Sequence, residues 1–202
     1  MQMVDKMNLT GKGRILAVHF DPVTGRHVPV NERYNIITYE AADIMARLVG
    51  GEKYAPQYMG FVYGPIASPP PPIPTDREQT WDSMVGDISG LGGNIILVPL
   101  SNAVSYAVEG DPSRYSGNAI TFNAFADETI PRTLTGGAFE NAQPTVGSDN
   151  YYQAALISAV VTQGSVIPAY RVVARMSLLD TGAGVAVDAT FKLAVYWTIA
   201  FK

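Results

Sequence analysis

The segment DATFKLAVYWTIAFK constrains the fold more than any other stretch of the chain. In it Phe191, Leu193, Val195, Trp197, Ile199 and Phe201 alternate with Lys192, Ala194, Tyr196, Thr198, Ala200 and Lys202, a period of two held over eleven residues. A helix repeats every ~3.6 residues and would scatter those six side chains, whereas a strand sends successive side chains to opposite faces. The segment is therefore a β-strand with one face in a core.

Other segments read the same way. RILAVHF (Arg14 to Phe20) is followed by DPVTG and RHVPV (Arg26 to Val30), a hairpin in which Pro22 presets φ and Gly25 supplies a permissive turn position. MGFVYG (Met59 to Gly64), NIILVPL, VSYAV, AITFNAFA, YYQAALISAVV and AYRVVARMSLL (Ala169 to Leu179) follow, separated by clusters of Gly, Pro, Asn and Asp and with no repeating helix between them. That series predicts a mainly β fold, an antiparallel β-sandwich or jelly-roll-like single domain. The expected organisation is an extended N-terminal arm over residues 1–13 and a β-rich domain over 14–202. A Pro-rich loop, PIASPPPPIP, falls within residues 65–75. It cannot donate backbone hydrogen bonds to a sheet and should run as polyproline II, a semi-rigid loop on the protein's own surface or a neighbour's. Trp81 is assigned to the loop that follows.

One stretch breaks the β pattern. In NIITYEAADIMARLVGG, Ala41, Ile44, Met45 and Leu48 recur at the spacing of one helical face. Thr38 can serve as N-cap, Glu40 lies near the positive end of the helix dipole, and Gly50 and Gly51 end the pattern. The spacing predicts a short helix over about 39–49. It is too short to stand alone in water, so its apolar face must pack, and the expected role is to plug one end of the β core.

Composition removes several function classes. The 14 basic and 18 acidic residues give a net charge of −4 without a basic run, so nucleic acid is not an expected partner. There is no cysteine, which excludes a disulfide framework and thiolate metal sites and fits a reducing cytoplasm. The opening MQMVDKMNLTGKG lacks the apolar core of a signal peptide, and no apolar run is long enough to span a bilayer, so no membrane is expected either. Charged residues make up only 16% of the chain, against about a quarter in an average soluble domain. A neutral surface of that kind suits a protein that lives against other protein.

The motifs that suggest chemistry fail on context. SLLDTGAG, Ser177 to Gly184, resembles the active-site signature of the retropepsins, which would make Asp180 catalytic. That family needs most of a small β domain downstream, whereas 18 residues follow Gly184 here. Asp-Thr-Gly-Ala-Gly is instead expected to turn a long hairpin between Ala169–Leu179 and Val185–Phe201. His19 and His27 flank the first turn without the further ligands a metal site requires. TGKG at 10–13 and the glycines at 90–93 lack phosphate-loop spacing and read as turns, and Asp127 and Glu128 read as loop-edge charges. Tyr151, Tyr152, Tyr170, Tyr196 and Trp197 could form a stacking platform for sugar or bases, although aromatics on alternating strands are more often core or subunit interface. No catalytic residue, cofactor or metal is expected.

The N-terminal arm, NIITYEAADIMARLVGG leading into MGFVYG, and a long β region punctuated by glycine and proline together resemble virion structural proteins of tailed bacteriophages. They are most similar to capsid decoration, or cement, proteins with a jelly-roll-like body, and Asn35 to Gly64 carries most of the likeness. The resemblance implies a place on the capsid surface, the major capsid protein as partner, and self-association as a dimer or trimer. Met1, Met3, Val4, Met7 and Leu9 of the arm, with Pro69, Pro70, Pro71 and Pro72 of the loop, are the expected partner contacts. A tail, collar or head-fibre component, and a carbohydrate-binding or glycan-cleaving sandwich, are the alternatives.

Overall fold

The alternating terminal segment forms strand β11 (Lys192–Ala200), which lies inside a sheet and not at its edge. It is flanked by β1 (Arg14–Phe20) and β7 (Ala119–Ala126), and the sheet is completed by β2 (His27–Tyr34) and β6 (Ser105–Ala107) in the order β2-β1-β11-β7-β6. The β1–β2 pairing is the expected hairpin, with a register shift between Ala17 and Val18. Leu193, Val195, Trp197 and Ile199 are all buried, as the period of two requires. The computed structural model describes residues 14–20, 23–24, 27–34, 36–52, 54–65, 76–89, 94–100, 105–107, 119–126, 145–160, 169–178, 184–188 and 192–200.

The second sheet contains β3 (Ile36–Ile37), β9 (Ala169–Ser177), β8 (Asp149–Val160), β4 (Tyr58–Pro65) and β5 (Asn94–Pro99) in that order, with β10 (Val185–Ala186) also pairing β8. All its pairings are antiparallel. The two sheets pack face to face: Met59, Phe61, Tyr63, Ile96, Val98, Leu156 and Met176 of the second share one core with Phe122, Ala124, Val195 and Trp197 of the first. This is the antiparallel sandwich that the sequence predicts, and burial of each aliphatic side chain in it contributes about 1.5–3 kcal/mol.

The second sheet has both faces covered. Its longer strands are buried over most of their length with no alternation, and Val62, Ile95, Leu97, Tyr152, Ala155, Ile157 and Val172 form a second cluster on the outer face. Helix α2 (Trp81–Ser89) covers that face, whereas the other helix packs on the main core. Helix α1 (Tyr39–Val49), where the sequence predicts it, buries Ala41 and Ile44 in the main core, with Leu48 packed against them. Thr38 caps its start by accepting from the Ala41 N–H. At its end Glu52 N–H donates to Arg47 O and Gly51 N–H to Leu48 O, with Gly51 at φ 87°, the left-handed closure that glycine adopts most readily. Helix α2 (Trp81–Ser89) stands where a loop is expected, and its fully buried Met84 seats in the outer cluster.

The expected hairpin across Asp-Thr-Gly-Ala-Gly does not form. β9 sits between β3 and β8, whereas β11 lies in the other sheet. Leu178 N–H donates to Tyr152 O, and the chain then rejoins β8 one residue further on, with Val185 opposite Tyr151 and Val187 N–H on Asp149 O. β9 and β10 thus run in one direction along one edge of β8, and residues 179–183, which include Asp180, lie outside the described residues. The physical reason is burial: β9 has both faces covered and belongs to the two-faced sheet, while β11 alternates and belongs to the other. Gly184 permits the return, since a Cβ there would stand 2.5 Å from Tyr151 O and 2.8 Å from the Tyr152 ring. Gly184→Ala should therefore destabilise the protein by about 1–3 kcal/mol, the usual cost of overpacking. Urea denaturation of the two proteins measures it, and equal midpoints would contradict this account of the re-entry.

Candidate functional site

The residues expected to contact a partner, Met1, Met3, Val4, Met7 and Leu9 with Pro69 to Pro72, lie outside the described residues, as do the TGKG and 90–93 glycine turns and the loop-edge charges Asp127 and Glu128. His19 pairs with Val28, and His27 with Phe20, so the two histidines occupy consecutive rungs of the β1–β2 ladder and do not share one. Among the described residues no group of three or more His, Cys, Asp or Glu gathers where it could hold a metal ion.

What the fold does assemble is a polar seam along β9, one end held by α1 and the other by α2. β3 pairs only with Arg175 and Ala174, which leaves the Val172–Val173 stretch of β9 without a strand beside it on that edge. The first turn of α1 takes the place of that strand. Thr38 N–H donates to Val173 O at 3.1 Å, and the Thr38 hydroxyl reaches the carbonyls of Val172 and Val173. The Glu40 carboxylate accepts from Val172 N–H at 2.7 Å and pairs with Arg171 at 2.8 Å. Val173 is the extra residue at a bulge, where the register against β8 shifts between Leu156 and Ile157, and this turns its carbonyl toward Thr38. The helix start is itself satisfied, Tyr39 N–H donating to Arg77 O while Arg77 Nε returns a bond to Ile37 O and its guanidinium lies 5.0 Å from the Tyr39 ring.

Between α1 and the adjoining ends of β8 and β9 lies a cleft of about 90 Å³, lined by Asp43, Ile44, Arg47, Tyr54, Val160 and Arg171. Its charges are already matched. Arg47 bonds Asp43 at 3.0 Å and Glu52 at 3.4 Å, and the Asp43 hydrogen bond and charge push its guanidinium pKa up. Arg171 is taken by Glu40. The cleft has room for several waters.

The other end of the seam is a buried guanidinium. Arg175 has no exposure, and its donors reach out in a fan: Nε to Gln153 at 3.0 Å, Nη1 to Gln79 at 2.6 Å and Ser83 at 3.4 Å, and Nη2 to Asp87 at 2.6 Å and to Gln153. Burial pulls its pKa down, opposed by Asp87 and then Asp76. The group stays charged at any pH at which a protein folds, because an arginine starts so far above that range. Gln79, Ser83 and Asp87 all belong to α2 or the turn leading into it, so the helix is attached to the sheet by this charge as well as by Met84. Trp81 stacks on Tyr170 with ring centroids 4.6 Å apart.

The five aromatics weighed as a platform do not meet. Tyr151 and Trp197 are buried between the sheets, Tyr152 and Tyr170 lie with the outer cluster, and Tyr196 is half-buried on a strand of the other sheet. Arg175 and α2 were missed by sequence reasoning, yet a signal for the helix exists. Thr80 and Ser83 cap each other reciprocally, Thr80 N–H to Ser83 Oγ at 2.9 Å and Ser83 N–H to Thr80 Oγ1 at 3.2 Å. Trp81, Met84, Val85 and Ile88 follow at helical spacing. No family model, curated protein or solved structure matches this chain.

Two outcomes follow. Glu40→Ala strips the Val172 N–H of its acceptor and should cost about 1–3 kcal/mol, whereas Glu40→Gln, which keeps an acceptor, should cost less. Chemical denaturation with amide exchange at Val172 distinguishes them. Tyr170, whose pKa burial and then Tyr58 raise from 10.0, favours its neutral form in the folded state. Its contribution is complete below about pH 10 and is lost as pH rises beyond that, so Tyr170→Phe should flatten the alkaline fall in melting temperature.

Proposed function

We propose that this chain is a non-enzymatic structural protein of a tailed-phage virion that binds the capsid surface and reinforces contacts between coat subunits as a homo-oligomer. The observation that carries the reading is the resemblance over Asn35 to Gly64. This stretch supplies β3, an edge strand of the two-faced sheet, α1, which packs on the main core, and nearly all of β4, which lies between β8 and β5. The low charge content of 16% supports it, because a neutral surface loses little solvation when covered by protein. Affinity would come from apolar and hydrogen-bonding contacts of the arm and the Pro-rich loop, multiplied by valency around the shell. The major capsid protein is the partner.

On this reading the arm is an anchor ordered by its partner, at a cost of about 1–2 kcal/mol of backbone entropy per residue that apolar contacts of Met3, Val4 and Met7 must offset. Deleting residues 1–9 should leave a folded protein, since β1 begins at Arg14, but weaken attachment to capsids lacking it. Occupancy and heat resistance of the reconstituted particles measure the effect. Equal binding by the truncated chain removes the arm from the mechanism, and failure of both forms to bind any capsid surface overturns the function.

A further inference from the structure

We infer that α2 is a releasable strap, which opens as a unit from the outer face of the six-stranded sheet while the sandwich beneath stays folded. This rests on the fold alone and not on the capsid reading. β4 and β5 are antiparallel neighbours, and α2 lies within the connection between them, residues 66–93. Among the described residues, lifting the helix therefore breaks no ladder hydrogen bond. The cluster it covers is distinct from the main core, so its exposure does not open the space between the sheets.

The helix is also built weakly. It spans nine residues, too few to persist without packing, and carries Gly86 in its interior. A Cβ at Gly86 would meet nothing within 4 Å, so no close approach demands glycine there, and the residue lowers helix stability without any packing gain. Met84 is its one fully buried apolar anchor among the described residues, with Trp81 and Val85 half-buried. The rest of the attachment is Arg175 with Gln79, Ser83 and Asp87. A charged latch differs from an apolar one in what happens on release. A guanidinium and a carboxylate that separate into water regain their hydration, which offsets the lost pair, whereas an apolar anchor regains nothing. Asp87 keeps 26% of its side chain exposed, so water reaches the latch from the start.

The chain has no cysteine, so a single thiol reports on one place. In Met84→Cys, the rate of labelling by a thiol reagent under native conditions measures opening of α2; in Val195→Cys, buried between the sheets, it measures global unfolding. The strap predicts labelling at position 84 at least tenfold faster than at 195, with weaker denaturant dependence. Asp87→Asn should speed labelling at 84 about tenfold further, and Gly86→Ala should slow it about fivefold, neither raising the ratio at 195 to match. Equal rates at 84 and 195 in all backgrounds overturn the inference. If a thiol variant fails to fold, hydrogen exchange on the unmodified chain gives the same comparison. α2 amides exchanging well before those of β8 support the strap, and simultaneous exchange refutes it.

Discussion

A guanidinium with no solvent exposure sets the terms for half of this fold. Arg175 falls in the middle of β9, and its neighbours along the strand, Ala174 and Met176, point into the space between the sheets. A slip of one residue in the β9 register would carry the charge among Trp197, Tyr151 and Leu156, where nothing could satisfy it, at a cost of several kcal/mol. The charge thus fixes register. It also requires that the outer face carry polar partners just there, and Gln153 from β8 supplies only one group. The connection between β4 and β5 supplies the others, which is why it contains a helix and not a tight turn.

How much of this could be read from the chain divides along the same line. The one-faced strand β11 and the helix α1 were legible because a single periodicity, of two or of ~3.6, governs each from end to end. α2 escaped because its capping pair is Thr80 with Ser83 where Glu or Gln is commoner, and because Gly86 interrupts the pattern. The path after β9 escaped for a different reason. Asp-Thr-Gly-Ala-Gly has turn composition, but the return along β8 depends on Gly184 lying against Tyr151, a contact between residues far apart in sequence. The expected partner contacts in the arm and the Pro-rich loop fall outside the described residues.

The seam along β9 also bears on assembly. An open sheet edge with free N–H and C=O groups invites pairing with another chain. Thr38 and Glu40 occupy those groups on β9 with side chains and a helix terminus, which cannot propagate a sheet. A protein meant to pack many copies on a shell gains from such a closed edge, because association is then left to surfaces with defined shape. Under the proposed function, the capped stretch of β9 and the low charge content are complementary: one blocks strand pairing at that stretch, the other lowers the desolvation cost of intended contacts.

The break between β9 and β10 separates the register of the sheet from the number of residues that lie between Leu178 and Gly184. Leu178 and Val185 are fastened to consecutive residues of β8, Tyr152 and Tyr151, so the ladder reads through as though the intervening residues were absent. Chain length there is decoupled from strand register, which is unusual in a sheet, where adding one residue ordinarily reverses the side of every residue after it. A segment of another length inserted between Leu178 and Gly184 would have both of its ends fastened to the same strand.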